Sequence, residues 1–473
     1  MNREALLQRL IAICGSANVL VDDADTAPYL KERRGRWTGK TMAVVRPGTT
    51  AEVSQILKLA SETGTPVVPQ GGNTGLVGGQ IPDSSGRAIV LSTSRLNRIR
   101  DLDTAGDTIT VEAGVVLQTI RETVDRHDRL FPLSLAAQGT SQIGGNLSSN
   151  AGGTGALTYG VARDLCLGLE VVLPTGEILD DLNRLKKDNT GYNLRNLFIG
   201  AEGTLGVITA AVLKLFPKPA GVATAVAGTS SPEKAHELFR RARQAAGPTL
   251  SAFELMPRIG VEFTTLHIAG ARDPLAHPHP WYVLLEISSG RSEADARTLL
   301  ETVLGDGLQT GTVEDAAIAD SGQQRNDFWR LREGMSESQI PEGGSIKHDI
   351  SVPVDRIPAF MADAEKAVLA ITPEARIVAF GHLGDGNLHY NISQPAGAGK
   401  QTFLSLADRI TPAIHDLARR FGGSISAEHG VGQMKRDELA ATKSPVALEL
   451  MRRIKRALDP VGIMNPGKVI LSD

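Results

Sequence analysis

Three glycine clusters punctuate the first half of the chain and limit what it can fold into. Residues 66–79 read PVVPQGGNTGLVGG, residues 138–160 read QGTSQIGGNLSSNAGGTGALTYG, and residues 200–209 read GAEGTLGVIT. Short β-rich runs surround them, among them MAVVRP, AIVLST, TITVEAG, LEVVLP and GVITAAVLKLFP. Glycines let backbone N–H groups converge on an anion and let a ligand approach the main chain closely. A pyrophosphate is the natural occupant. One such loop by itself is equally compatible with a flexible turn. A structureless stretch as long as the second, bordered by apolar strands, is usually functional.

Composition narrows the class. At about 150 residues per domain, 473 residues predict two to four domains. The net charge of −3 argues against a nucleic-acid binder, which shows a basic footprint. No apolar run of membrane-spanning length occurs. The N-terminal stretch is broken by Glu4, Gln8 and Arg9 and reads as an amphipathic helix, not as a signal peptide. Cys14 and Cys166 are the only cysteines, so neither a disulfide framework nor a cysteine zinc site is expected. The expected compartment is the cytoplasm, with the inner face of a membrane as the variant.

The texture of the chain changes along its length. Residues 1–37 read as a helical segment and residues 38–219 as a β-rich domain containing the glycine loops. Residues 220–425 read as longer helices alternating with strands, and residues 426–473 as a C-terminal segment with a helix at 445–458. Helices are predicted at 50–63, 115–127, 231–245, 291–304 and 354–370, and strands at 281–287 and 376–380. The fold class is α+β, with an antiparallel sheet in the second domain. Two familiar patterns fail. No G-x-G-x-x-G follows a strand. Residues 462–468 spell G-x-x-x-x-G-K, but Val469 stands where a magnesium-binding hydroxyl belongs.

The sharpest chemical signal is RIVAFGHLGDGNLHYNI at 376–392. Asp385-Gly386 predicts a two-residue hairpin turn. With that turn, His382 lies directly opposite His389 on one face, their Cβ atoms about 4.5–5.5 Å apart. Two imidazoles so placed suit one metal ion, and Asn391 projects from the same face. Glu428-His429, in SAEHGVG, could add a carboxylate, because divalent transition metals favour mixed histidine and carboxylate sets.

Together the motifs RPGTTAEVSQILKLA, PQGGNTGLVGG, the loop at Asn150, EGTLGVIT, GHLGDGNLH, SAEHGVG and DPVGIMNPGK resemble the flavoenzymes of the vanillyl-alcohol oxidase and p-cresol methylhydroxylase type. Within that superfamily the chain is similar to the FAD-linked D-2-hydroxyacid dehydrogenases. The resemblance implies a two-subdomain FAD-binding domain, a cap domain with the substrate site, and a C-terminal segment returning to the flavin. It implies FAD contacts from Pro69, Gly71, Gly72, Asn73, Thr74, Gly75 and Leu76 in the first loop. In the second they would come from Gly139, Ser141, Gly144, Gly145, Asn150, Gly152, Gly153, Gly155, Tyr159 and Gly160. Glu202, Gly203, Gly206, Val207 and Ile208 would contribute from the third, and Asn465 from the tail. Some relatives attach FAD through a histidine in the first loop; no histidine occurs here before His127, so non-covalent FAD is expected.

The same resemblance makes His382, His389 and Glu428 the metal ligands and His429 the catalytic base. It gives Arg332, Ser336, Lys347 and Asn391 to the substrate. Two histidines and one glutamate suit zinc first, and manganese or iron as well. The expected reaction passes a hydride from a D-2-hydroxy acid, D-2-hydroxyglutarate favoured, to flavin N5. Reoxidation would fall to an electron-transfer flavoprotein or a quinone, and a homodimer is the oligomer considered. D-lactate or glycolate oxidation is the nearest alternative. A metal-dependent hydrolase built on His382, His389 and Glu428, or a nucleotide-binding module without catalysis, are the readings from other classes.

Overall fold

The computed structural model describes residues 2–471. They form two compact units. The first takes the chain up to Gly153, then Gly160–Pro217 and the C-terminal segment from Glu428 onward; the second takes Thr154–Tyr159 and Lys218–Ala427.

The first unit is built on two sheets. In one, Ala43–Val45 and Val67–Gln70 both pair in parallel with Ile89–Ser92, and Val19–Leu20 adds an antiparallel edge. The crossover between the parallel outer strands is the helix Thr50–Thr63. Thr49 caps it by accepting from the Glu52 N–H, Glu52 reaches back to the Gly48 N–H, and Gly64 ends it at φ 65°. The Thr49 hydroxyl thereby satisfies one of the unpaired N–H groups of the first turn. Val53, Ile56, Leu57 and Ala60 recur at helical spacing and form its buried face. The other sheet is antiparallel, in the order Ile99–Asp103, Thr108–Glu112, Val207–Lys214, Cys166–Val172, Ile178–Asp181. The N-terminal helix Arg3–Cys14 buries Leu6, Leu10 and Cys14 in the core of this unit. The tail joins the same core: the Val67 N–H donates to the Ile463 carbonyl, the Asn465 N–H donates to the Val67 carbonyl, and Ile463 and Met464 are buried.

The second unit carries an eight-stranded sheet in the order Asp315–Ile318, Gly221–Thr229, Trp281–Ser289, Leu250–Pro257, Arg376–His382, Asn387–Ser393, Ser345–Ile346. Asp349–Ser351 is the eighth strand and also pairs with Asn387–Ser393. Alternate residues face opposite sides. Phe253, Leu255, Val283 and Leu285 pack against the helices Pro232–Ala246, Glu293–Gln309 and Ile357–Ile371. Met256, Tyr282, Leu284 and Phe380 pack on the other face with Val261, Phe328 and Leu331, from the helices Arg258–His267 and Gly322–Glu333.

One expectation changes. The second glycine cluster is not structureless: Ile143–Ser148 is helical, with Gly144 packed where a side chain would strike Ala113, and a further turn forms at Ala156–Tyr159. His279 lies in the loop before Trp281–Ser289 and is buried, with its Nδ1 2.9 Å from Glu314. Among the described residues, no helix is long and apolar enough to cross a membrane.

Candidate active site

In the first unit the glycine loops line an open cleft that draws walls from both sheets. Pro69, Gly71, Gly72, Asn73, Thr74 and Gly75 line it from the first loop, and Gly144 and Gly145 from the second. Glu202, Gly203, Gly206, Val207 and Ile208 line it from the third, and His429 from the tail. A Cβ at Gly72 would stand 2.0 Å from the Thr140 carbonyl oxygen, so only glycine lets the first two loops meet there. A Cβ at Gly145 would meet nothing within 4 Å, which leaves an open backbone cradle for a ligand.

Several residues implied for the cofactor do not line this cleft: Leu76, Gly139, Ser141, Asn150, Gly152, Gly153, Gly155, Tyr159, Gly160 and Asn465. Gly155 and Tyr159 belong to the second unit, where the Thr158 hydroxyl donates to the Leu250 carbonyl. Asn465 acts from behind: its amide donates to the carbonyls of Gly79, at 2.9 Å, and Glu202, at 2.7 Å. Sequence reasoning missed Gln70, Val77, Gly79, Gln80, Thr93, Gln142, Asn146, Ser148 and Ser149 as lining residues. The β-run PVVPQ ending at Gln70 and the polar SSN after Leu147 were the available signals.

Glu202 holds the segment that carries His429. Its two carboxylate oxygens accept from the N–H groups of Val431 and Gly432 at 2.7 and 2.8 Å. Burial raises the Glu202 carboxyl pKa above the ordinary range, against the opposing pull of those N–H groups and of Lys435. Glu428 accepts from the Gly153 N–H at 2.7 Å.

The hairpin of the second unit departs from the expected register. Phe380, not His382, is the strand partner of His389, because the connection is four residues, 383–386, instead of two. Gly386 alone takes a positive φ there, 89°, so the turn is not the type that Asp385-Gly386 predicted. The shift is two residues, one full pleat, so both histidines still share a face. Their ring centroids are 5.9 Å apart, with a nitrogen of one within 4.8 Å of a nitrogen of the other. Asp349, the strand partner of His389, brings its Oδ1 4.0 Å from the His389 Nδ1. Asn391 follows on the same strand and is buried.

Arg332 is not a solvated helix charge. It sits in the last turn of Gly322–Glu333 with its side chain 8 % exposed, stacked over the Phe380 ring at 4.9 Å. Its Nε donates to Glu254 Oε2 at 2.8 Å, while its buried Nη2 has no hydrogen-bond partner among the described residues. The other oxygen of Glu254 accepts from His382 Nδ1 at 2.7 Å. Burial would raise the Glu254 carboxyl, but His382 and Arg332 overcome this and hold it at about 2. Glu254 was not foreseen; the one hint was a charge inside the apolar strand FELMP. Ser336 lies beyond the helix, in the 3₁₀ turn Gly334–Ser336, so it does not continue the Arg332 face as an α-helix would. Lys347 Nζ donates to the Ser336 carbonyl at 2.9 Å and lies 3.4 Å from its hydroxyl, so those two residues are brought together.

Residues 41–181 match the FAD binding domain model, and residues 218–469 match the model of the FAD linked oxidases, C-terminal domain. The chain belongs to the FAD-linked oxidase family. A D-2-hydroxyglutarate dehydrogenase of Xanthomonas citri is 36 % identical over 95 % of this chain and 93 % of its own length. The mitochondrial D-2-hydroxyglutarate dehydrogenases of Arabidopsis thaliana and Bos taurus are 37 % and 38 % identical, over 97 % and 98 % of this chain and 80 % and 83 % of theirs. Among solved structures, p-cresol methylhydroxylase with substrate bound shares the fold, with a TM-score of 0.78 at 18 % identity, covering 99 % of this chain and 98 % of that one. This FAD-linked oxidase is an FAD-dependent dehydrogenase, and the glycine-lined cleft has the backbone cradle that FAD requires.

Proposed function

We propose that this protein oxidises a D-2-hydroxy acid to the 2-oxo acid, D-2-hydroxyglutarate in preference to D-lactate or glycolate, using non-covalent FAD and a divalent metal. The observation that carries this is the buried guanidinium of Arg332, whose Nη2 has no partner among the described residues. An unpaired buried donor costs about 1–3 kcal/mol. A substrate carboxylate would satisfy it, and His382 is joined to it through Glu254. The names of the relatives point to the same substrate class.

FAD, when bound, supplies the hydride acceptor, and the metal, when bound, supplies a Lewis acid toward the hydroxyl and carboxylate oxygens of the substrate. The protein's own groups do the rest. Arg332 binds a carboxylate bidentately, and Lys347 with Ser336 supplies a second cationic contact. Asn391 orients the substrate from the histidine face. His382 and His389 would hold the metal with Glu428, which follows Ala427, whose N–H donates to the Asp349 carbonyl. His429, on the wall of the flavin cleft, takes the proton from the C2 hydroxyl as the C2 hydrogen leaves as hydride. An electron-transfer flavoprotein or a quinone is the acceptor we assign, and a homodimer the assembly.

The test is the spectrum of the purified protein followed by a dye-coupled substrate panel. A flavin spectrum bleached by D-2-hydroxyglutarate more effectively than by D-lactate, D-malate or glycolate is expected. A colourless protein would overturn the flavin assignment. A flavoprotein bleached best by D-lactate would overturn only the choice of substrate.

A further inference from the structure

We propose that Glu254 is a positioning residue that locks the metal-binding histidine His382 and the anion receptor Arg332 into one unit, coupling metal affinity to substrate affinity. The proposal rests on the functional reading above. Its basis is a single buried carboxylate whose two oxygens serve different partners: Oε1 takes His382 Nδ1 at 2.7 Å, and Oε2 takes Arg332 Nε at 2.8 Å. The side chains of Glu254, Arg332 and His382 are 1, 8 and 9 % exposed. Strand register explains how they meet. Glu254 and His382 are paired residues on adjacent strands, so they share the sheet face on which Gly322–Glu333 packs.

An ionised carboxylate only accepts hydrogen bonds. Nδ1 of His382 must therefore carry the proton, which leaves Nε2 as the nitrogen able to ligate a metal. A carboxylate behind a ligating histidine fixes its tautomer and ring orientation and raises its basicity. The same carboxylate occupies Nε and fixes the guanidinium plane, which leaves Nη2 as the donor without a partner among the described residues. An ion pair kept only for stability would need no third partner, and apolar replacements of buried pairs are often neutral or better. A shared oxygen pair instead makes sense if the metal and anion sites must keep a fixed separation.

The experiment uses Glu254→Gln holoenzyme with three readouts: the flavin absorbance, the affinity of chelator-stripped protein for Zn²⁺ in competition with a chromophoric chelator, and separate kcat and KM for D-2-hydroxyglutarate. The expected result is an intact flavin spectrum, Zn²⁺ affinity lowered by about 10–100-fold, and a raised KM. If Glu254→Gln does not fold, the double variant Glu254→Met/Arg332→Met removes both buried charges together. Zn²⁺ affinity reduced in that variant supports the proposal; affinity equal to wild type overturns it. Zn²⁺ affinity and KM of Glu254→Gln both within twofold of wild type overturn the positioning role alone, provided the wild type binds Zn²⁺ and oxidises the substrate. A wild type that binds no metal overturns both this inference and the metal assignment.

Discussion

The side-chain amide of Asn465 donates to the main-chain carbonyl of Glu202 at 2.7 Å, across 263 residues of sequence. The same nitrogen reaches the Gly79 carbonyl at 2.9 Å. One buried residue of the tail therefore joins the first and third glycine loops, without itself lining the flavin cleft. Replacing it leaves two carbonyls without this donor, at about 1–3 kcal/mol. Asn465→Ala should weaken FAD retention by about 5–150-fold, the same energy expressed as an equilibrium. Fluorimetric titration of the apoprotein with FAD measures this, and an unchanged affinity would make the tail contact incidental.

Acid precipitation reports the mode of flavin attachment. Asn73, in the first loop, spends its amide on the Pro28 and Lys31 carbonyls at 3.0 and 3.1 Å, and no histidine lies in that loop. The flavin should appear entirely in the supernatant; colour left in the washed pellet would refute non-covalent binding.

Removal of the metal should separate the two units functionally. His382→Ala and His389→Ala change only the sheet of the second unit, whereas the flavin cleft lies in the first. Both variants should keep the flavin spectrum and lose turnover by at least a hundredfold, and a chelator should do the same to the wild type, reversibly. Full turnover in protein shown to be metal-free by elemental analysis would remove the metal from the mechanism.

Lys347 distinguishes a dicarboxylate from a monocarboxylate site. A second substrate carboxylate is costly to bury without a cation, and a site built with the cation leaves it unpaired when lactate binds. In Lys347→Met, kcat/KM should fall roughly tenfold or more further for D-2-hydroxyglutarate than for D-lactate, a gap within the usual range for a lost charged hydrogen bond. Equal losses would assign Lys347 to the same carboxylate as Arg332.

Lys468 gives a pH prediction. Burial lowers its pKa to about 8, with Asp83 pulling the other way. Between about pH 8 and 10.4, the unfolded chain keeps a proton that the folded chain has released. Stability therefore rises with pH across that window, and below it the buried charge is a constant penalty on the order of 3 kcal/mol. Lys468→Met should raise Tm at pH 7, and the gain should shrink by pH 10. A Tm difference that does not vary with pH would show that Lys468 is already solvated.

Local chemistry made much of this fold legible. The helix Thr50–Thr63 was read with its boundaries because Thr49, Glu52 and Gly64 mark them within a few residues. Pro445–Leu458 was likewise read to its ends, with Ser444 capping and proline in the first turn. The hairpin was legible as a hairpin, but its register was not. Asp385-Gly386 signals a turn without fixing how many residues it spans, and the extra two are set by pairing with neighbouring strands, including Glu254 opposite His382. That the histidines still share a face follows from the two-residue pleat, which tolerates an even shift.

By itself the sequence determined the residue types and their periodicity: glycines where backbone meets ligand, one histidine on each arm of a hairpin, and apolar stripes that fixed an α+β class. The tertiary structure alone decided who pairs with whom. Arg332 and Glu254 are 78 residues apart, Glu254 and His382 are 128 apart, and Asn465 lies 386 residues from Gly79. No periodicity spans such distances, because these contacts come from strand order and packing. A carboxylate in an apolar strand looks like an error in the pattern until the fold brings a hydrogen-bond donor to each of its two oxygens.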